Sequence, residues 1–219
     1  MALGVDQMKN IPVFDTENGV ASLVLREIPY SGKAYITIRA SQEPMALLEE
    51  CVSFCRMCGA EEVYASGDPC LEAFPLTTAM YAMRCSVDSL PDTDAALWPV
   101  QEENLEQFRS IYNEKASRLP NSAWMDSAEG RKMLQDGDGY FVHRHGKLLG
   151  IGRIADGELR WVASVTPGGG RDVVLALAKA LPADVVELTV ASVNEKAIRL
   201  YESLGFITTR QISRWYKVK

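Results

Sequence analysis

Between Val185 and Thr209 the chain reads strand, helix, strand, and both ends of the helix are marked in its residues. Val185 to Val190 is rich in β-branched residues and reads as a strand. Ser192 followed by Glu195 fits a capping box, which predicts a helix starting near Val193. Ala197, Leu200, Tyr201 and Leu204 recur at helical spacing and form one apolar stripe. Gly205 fits the left-handed position that closes a helix, and Phe206 to Thr209 opens the next strand. Asn194 and Tyr201 stand seven residues apart, nearly two turns, so they share a face. Ordinary amphipathic packing accounts for the stripe and the caps, but not for that pairing.

The same alternation runs through the chain from Ala95 onward. Ala95 to Val100 reads as a strand and Glu102 to Arg118 as a helix, with Leu105, Phe108, Ile111 and Tyr112 on one face. A turn at Pro120 to Ser122 precedes a second helix, Ser127 to Gln135, which Gly137 to Gly139 ends. Tyr140 to Arg144 and Lys147 to Arg153 read as strands joined at His145-Gly146. Asp156-Gly157 marks another tight turn before the strand Glu158 to Val165. Three glycines, Gly168 to Gly170, lead into a nearly all-apolar helix, Asp172 to Leu181. The closing strands are Phe206 to Thr209 and Ile212 to Val218. The fold class is therefore α/β, with a mixed α+β sheet.

The first half repeats part of this layout. A strand at Tyr35 to Ala40, a polar turn ending in Pro44, an apolar helix Met45 to Cys58 and a strand Glu62 to Ala65 follow in the same order as the segments from Glu158 to Val190. Leu76 to Cys85 reads as a strand or a bent hairpin arm. Ser89 to Asp94 is the expected linker, which divides the chain into domains 1–90 and 91–219.

Composition narrows the function. The chain has 219 residues, a formal net charge of -6 and no basic stripe, which disfavours nucleic acid and anionic membranes and suits an amine substrate. No apolar run is long enough for a membrane span, and Met1 to Asn10 lacks a signal-peptide layout, so the expected location is cytoplasmic. All five cysteines precede residue 90, and their odd number argues against a disulfide framework. Cys55 and Cys58 form a Cys-x-x-Cys, but with Cys51 they share a helix face with Leu47, Leu48 and Phe54, and no second pair completes a metal site. They read as small buried hydrophobes, and no metal is expected.

The segment Asn194-x-x-Ala197-x-x-Leu200-Tyr201-x-x-x-Gly205-Phe206 resembles the late motif of the GNAT N-acetyltransferase superfamily at every fixed position. The order of elements after Ala95 is also similar to the GNAT acyl-CoA N-acyltransferase fold, and the first half resembles a degenerate GNAT-like copy. The resemblance implies acetyl transfer from acetyl-CoA to a primary amine of a small molecule or a protein. It also implies two strands that splay around the pantetheine. Tyr201 would be the general acid, Asn194 would contact the pantetheine, and the Val165 N–H would polarise the thioester carbonyl. Gly168, Gly169, Gly170, Arg171 and Asp172 would supply phosphate-binding groups at a helix N-terminus. The family pattern Arg/Gln-x-x-Gly-x-Gly/Ala matches best at Arg171 to Ala176, where Val174 stands in place of the first glycine. Two readings follow: the loop has shifted to Gly168 to Gly170, or phosphate binding is compromised.

The chemistry needs deprotonation of an amine, stabilisation of an oxyanion and protonation of a leaving thiolate. Glu158, at the start of the central strand, is the candidate base; a solvated strand-end carboxylate is its other reading. His143 and His145, the only histidines, look like hairpin residues. Trp124 and Met125 are candidate walls of an acceptor pocket or plain core. The alternative function is a catalytically inactive GNAT-fold module binding a metabolite or a protein partner, and a monomer or homodimer is expected in either case.

Overall fold

The computed structural model describes residues 12–120 and 122–219, so the expected turn at Pro120 to Ser122 falls partly outside the described residues, as does Met1 to Asn10. The chain forms two compact units, one from residues up to Met80 together with Gln211–Lys219, the other from Tyr81–Arg210.

In the first unit, β1 (Val13–Thr16) and β2 (Gly19–Val24) form an antiparallel hairpin. The sequence reading missed it, although Asn18-Gly19 between two apolar runs is a hairpin signal. A single turn of helix, α1 (Ile28–Ser31), leads to β3 (Lys33–Ser41), antiparallel to β2. Helix α2 (Pro44–Met57) begins with Pro44, where a missing N–H costs nothing, and returns the chain to β4 (Glu62–Ser66), parallel to β3. Leu47, Leu48, Cys51 and Cys55 of α2 pack on Leu23, Ile36 and Val63 of the sheet. Cys51 and Cys55 are fully buried, as expected of small hydrophobes, but Cys58, read the same way, follows the last residue of α2 and is exposed.

The second unit carries β6 (Ala96–Pro99), α3 (Leu105–Ala116), α4 (Ser127–Asp136), β7 (Gly139–Arg144), β8 (Lys147–Ala155), β9 (Glu158–Ser164), α5 (Gly170–Lys179), β10 (Val185–Ala191) and α6 (Glu195–Ser203). Strands β6 to β9 form an antiparallel meander, and β9 pairs in parallel with β10. Its two hairpin turns use left-handed pairs, His145-Gly146 and Asp156-Gly157, as predicted.

Helices cover both faces of this sheet. Phe108 and Met133 pack on Phe141 and Ile151, while Val173 and Leu177 of α5 pack on Val142, Leu159 and Val186. Two glycines of β8 set how near α5 lies. A Cβ on Gly150 would fall 2.8 Å from the Val173 side chain, and one on Gly152 would fall 2.2 Å from Leu177.

Two strands depart from expectation. Leu76–Ser86 is one strand, β5, and the two expected closing strands are one, β11 (Ile207–Lys217). Arg210-Gln211 holds no turn residue, so nothing breaks the run. The unit boundaries fall inside these strands, at Met80/Tyr81 and Arg210/Gln211, instead of at residue 90. Ser89 to Asp94 is not a free linker: Leu90 is buried in the core of the second unit, and the Thr93 hydroxyl donates to Asp172 at 3.3 Å. Each unit is thus finished by a strand from the other half of the sequence. The end of β11 pairs with β4, Tyr216 opposite Ala65, and β5 lies beside β10.

Candidate active site

The central feature of the second unit is how briefly β9 and β10 pair. Of β9, only Glu158 and Leu159 have partners on β10, Glu187 and Leu188. Beyond them β9 runs on to Ser164 and β10 to Ala191 without pairing. The break coincides with a bulge: Leu159 lies opposite Ile154 and Trp161 opposite Arg153, so Arg160 is the extra residue. A bulge bends and twists its strand, which turns the end of β9 away from its neighbour. The corresponding pair of the first unit, β3 and β4, stays in register through five residue pairs, from Lys33↔Glu62 to Thr37↔Ser66. An opening between central strands therefore exists in the second unit and is closed in the first.

The backbone at this opening corrects one expectation. The Val165 N–H donates to the Leu149 carbonyl at 2.9 Å, on the β8 side, so it is already spent. Strand alternation then turns the N–H groups of Val162 and Ser164 to the opposite side, where β10 has separated. No sequence signal distinguished these residues, because the register of β8 against β9 decides which amides face outward.

The glycine turn joins β9 to α5. It is tied to β8 by the Ser164 hydroxyl, which donates to the Leu149 carbonyl at 3.2 Å, and by the Thr166 hydroxyl, which donates to the Leu148 carbonyl at 2.8 Å. Gly168 has φ +78°, a left-handed conformation that strains other residues, and α5 begins at Gly170. The first bond of that helix runs from Val173 N–H to the Gly169 carbonyl, so the N–H groups of Gly170, Arg171 and Asp172 precede the ladder. Val174 lies a full turn inside the helix, 1% exposed in the core. The glycines thus lie ahead of the first turn of α5, and Val174 does not. Gly168 and Gly170 have the two-residue spacing of the glycine places in the GNAT pattern, with Val165 three residues ahead of Gly168. The Arg171 side chain is exposed. The Asp172 carboxylate is committed to Arg144, whose guanidinium donates at 2.8 Å. That side chain stabilises the positive end of the helix itself and is no phosphate ligand.

Helix α6 starts later than the capping box predicted. Asn194 is its N-cap, with Oδ1 accepting from the Ala197 N–H at 3.3 Å, and Ser192 lies outside. The Asn194 oxygen is thus occupied, leaving its amide nitrogen. The helix closes in a Schellman motif: the Phe206 N–H donates to the Tyr201 carbonyl at 3.0 Å and the Gly205 N–H to the Glu202 carbonyl at 3.0 Å, with Gly205 at φ +91°. The hydrophobic contact that goes with this motif is Tyr201 on Phe206, ring centroids 5.7 Å apart. Tyr201 is buried among apolar side chains that include Leu159, and its hydroxyl has no hydrogen-bond partner among the described residues. Burial pushes its phenol up to about 12. Leu200, beside it, reaches the start of α5, where a Cβ on Gly170 would lie 3.3 Å from its methyl.

Glu158 lies on the paired end of β9, two residues before the bulge, with Glu187 alongside. It makes no hydrogen bond or ion pair among the described residues, whereas its neighbours are committed: Arg160 donates to Asp156 at 2.5 Å, and Arg153 holds the buried Asp138 at 2.7 and 3.0 Å. His145 is exposed at a turn beside Asp94, at 3.2 Å, and His143 packs between Trp98 and Phe141. Met125 is 2% exposed, a core residue and no pocket wall; its backbone is clamped by Asn113, which donates to its carbonyl at 3.0 Å and accepts from its N–H at 2.8 Å. Among the described residues, no cluster of three or more histidine, cysteine or carboxylate side chains could hold a metal ion.

No protein-family model matches the sequence, and no curated protein matches it. Solved structures do. A GCN5-related N-acetyltransferase from Sphaerobacter thermophilus is similar over 91% of this chain and 76% of its own, at TM-score 0.62 and 14% identity. A GCN5-related N-acetyltransferase from Kribbella flavida is similar over 97% and 91%, at TM-score 0.56 and 14% identity. A tandem GNAT protein from the clavulanic acid biosynthesis pathway is similar over 92% and 79%, at TM-score 0.55 and 14% identity. A functionally unknown protein from Staphylococcus epidermidis is similar over 95% and 93%, at TM-score 0.64 and 11% identity. The chain has the fold of the GCN5-related N-acetyltransferases. Among the described residues no helix is long and apolar enough to cross a membrane.

Proposed function

We propose that this protein is an acetyl-CoA-dependent N-acetyltransferase whose single active site lies in the second unit. The observation that carries the reading is the early parting of β9 and β10 at the Arg160 bulge, with a glycine turn and a helix N-terminus at its far end. Acetyl-CoA would supply the acyl group as an activated thioester. The first-turn N–H groups of α5 and the Arg171 side chain would hold its phosphates, where free donors and the helix dipole both favour negative charge. The N–H groups of Val162 and Ser164 would bind along the separated edge of β9 and polarise the thioester carbonyl, and the Asn194 amide nitrogen adds a donor at the start of α6.

Tyr201 keeps its proton at physiological pH and can give it to the departing thiolate; Glu158, free of partners, is the group placed to accept the proton of an amine. The acceptor is an amine of a small molecule or a protein. With five free cysteines, two of them fully buried, the chain suits a reducing cytoplasmic setting. The first unit, with its closed β3–β4 pair, is a GNAT-like copy without a binding cleft.

A second reading, a catalytically inactive module that binds a metabolite or a protein, draws on a different observation. Tyr201 already has a full structural role at the end of α6, and Leu200 crowds Gly170. The readings part on turnover. With a panel of primary amines and acetyl-CoA, the enzyme releases CoA, and Tyr201→Phe loses most of that release while keeping acetyl-CoA affinity. Binding without turnover on any amine supports the inactive module.

A further inference from the structure

Helix α2 is apolar on two sides. Its inner side packs on the sheet of the first unit through Leu47, Cys51 and Cys55. Its outer side should be polar on an ordinary surface helix. Instead, Met45 and Val52 recur there seven residues apart, in one stripe with Glu49 and Arg56, and Met57 ends the helix, with Met45 43% and Met57 77% exposed. Phe74 and Val218 join them to line a groove of about 650 Å³. Among the described residues two charged side chains line it, Glu49 and Arg56, seven residues apart on the same helix. Neither makes an ion pair or a hydrogen bond among the described residues. A surface with exposed methionines, a groove and two unused opposite charges has the character of an interface.

The spacing of these residues selects the partner. We infer that the outer face of α2 pairs with the same face of a second copy of this chain, about a two-fold axis passing between Val52 and Ser53. A two-fold contact must be self-complementary: if one residue meets another, the reverse meeting occurs too. Two α2 helices laid antiparallel about that axis bring Glu49 opposite Arg56 of the second copy, and Arg56 opposite its Glu49. The helix dipoles also run antiparallel. A different partner would need its own matching acid and base at this separation; a second copy has them by construction. A helix of 14 residues is about 21 Å long, which puts the contact at the small end of stable interfaces, so the dimer is concentration-dependent.

The test is sedimentation of the full chain from micromolar to near-millimolar concentration, with charge-reversed variants. The wild type is expected to pass from monomer to dimer. Glu49→Arg and Arg56→Glu each place like charges together twice per dimer and should raise the dissociation constant roughly tenfold. The double variant, with both charges exchanged, restores the match and should return close to wild type, an outcome no folding defect would produce. Ser53→Cys in a Cys58→Ser background, oxidised at high concentration, should cross-link two chains through residue 53. A monomer at every concentration overturns the proposal. So does a dimer indifferent to both single reversals, or a double variant no better than the singles.

Discussion

Tyr201 shows how one residue carries two meanings. Its place before Gly205-Phe206 is fixed by helix-ending geometry, since its ring sits against Phe206 from a position four residues before a left-handed glycine. The hydroxyl is surplus to that role. Tyr201→Phe should therefore fold with a melting temperature near wild type while turnover falls by about a hundredfold or more, within the usual range for losing one general acid. Equal turnover removes Tyr201 from the mechanism. Because the folded phenol is pushed up to about 12 from an ordinary 10.0, the native chain holds this proton more tightly than the unfolded one. Its contribution to stability is present below pH 10.0 and lost as pH rises toward about 12, which alkaline denaturation of the wild type against Tyr201→Phe would reveal. A neutral-pH limb in the rate profile then belongs to a group other than this tyrosine. Gly205→Ala tests the structural half: at φ +91° a Cβ is strained, and a loss of about 1 kcal/mol or more is expected in urea unfolding. The thiols are a further check. Burial pushes Cys51 up to about 12 and Cys55 to about 11, whereas Cys58 is exposed, so a thiol reagent should label Cys58 fast and leave Cys51 and Cys55 until unfolding.

At the scale of elements, what the sequence revealed and what it hid have separate causes. Helices and strands from Ala95 onward followed from apolar periodicity and turn residues, both local properties. The start of α6 was misplaced because Ser192 and Asn194 are both competent caps, and the choice depends on where β10 releases the chain. Asn194→Ala should therefore cost about 1 kcal/mol of stability as well as any loss of acetyl-CoA affinity. The glycine turn was recognised as a candidate, but its register was open until the first bond of α5 fixed it at Gly170. The parting of β9 from β10 was foreseen only through family resemblance. Pairing between strands is non-local, and nothing in Glu158 to Ser164 announces that pairing stops after Leu159. The Val165 N–H was misassigned for the same reason, since its direction depends on Leu149 across the sheet.

At the scale of the whole molecule, β5 and β11 each begin in one unit and end in the other, so each half of the sequence supplies a strand to the other's sheet. This was not legible: a long strand and two short ones look alike in residues when no turn residue separates them. Removing Gln211–Lys219 takes away the strand paired with β4 and the buried Tyr216. The truncated chain is expected to lose its cooperative unfolding transition, although every candidate active-site residue remains; a sharp transition near the wild-type midpoint would show that the strand is dispensable.

The central claim is a single acyl-CoA cleft, open between β9 and β10 and closed between β3 and β4. Calorimetric titration with acetyl-CoA tests it most directly. The account predicts saturable binding at one site per chain, weakened in Gly170→Ala, whose new Cβ would crowd Leu200. At a hundred times the dissociation constant the ligand should also stabilise the fold by roughly 2.7 kcal/mol. No binding at millimolar acetyl-CoA by a folded chain, or two equal sites per chain, would contradict it.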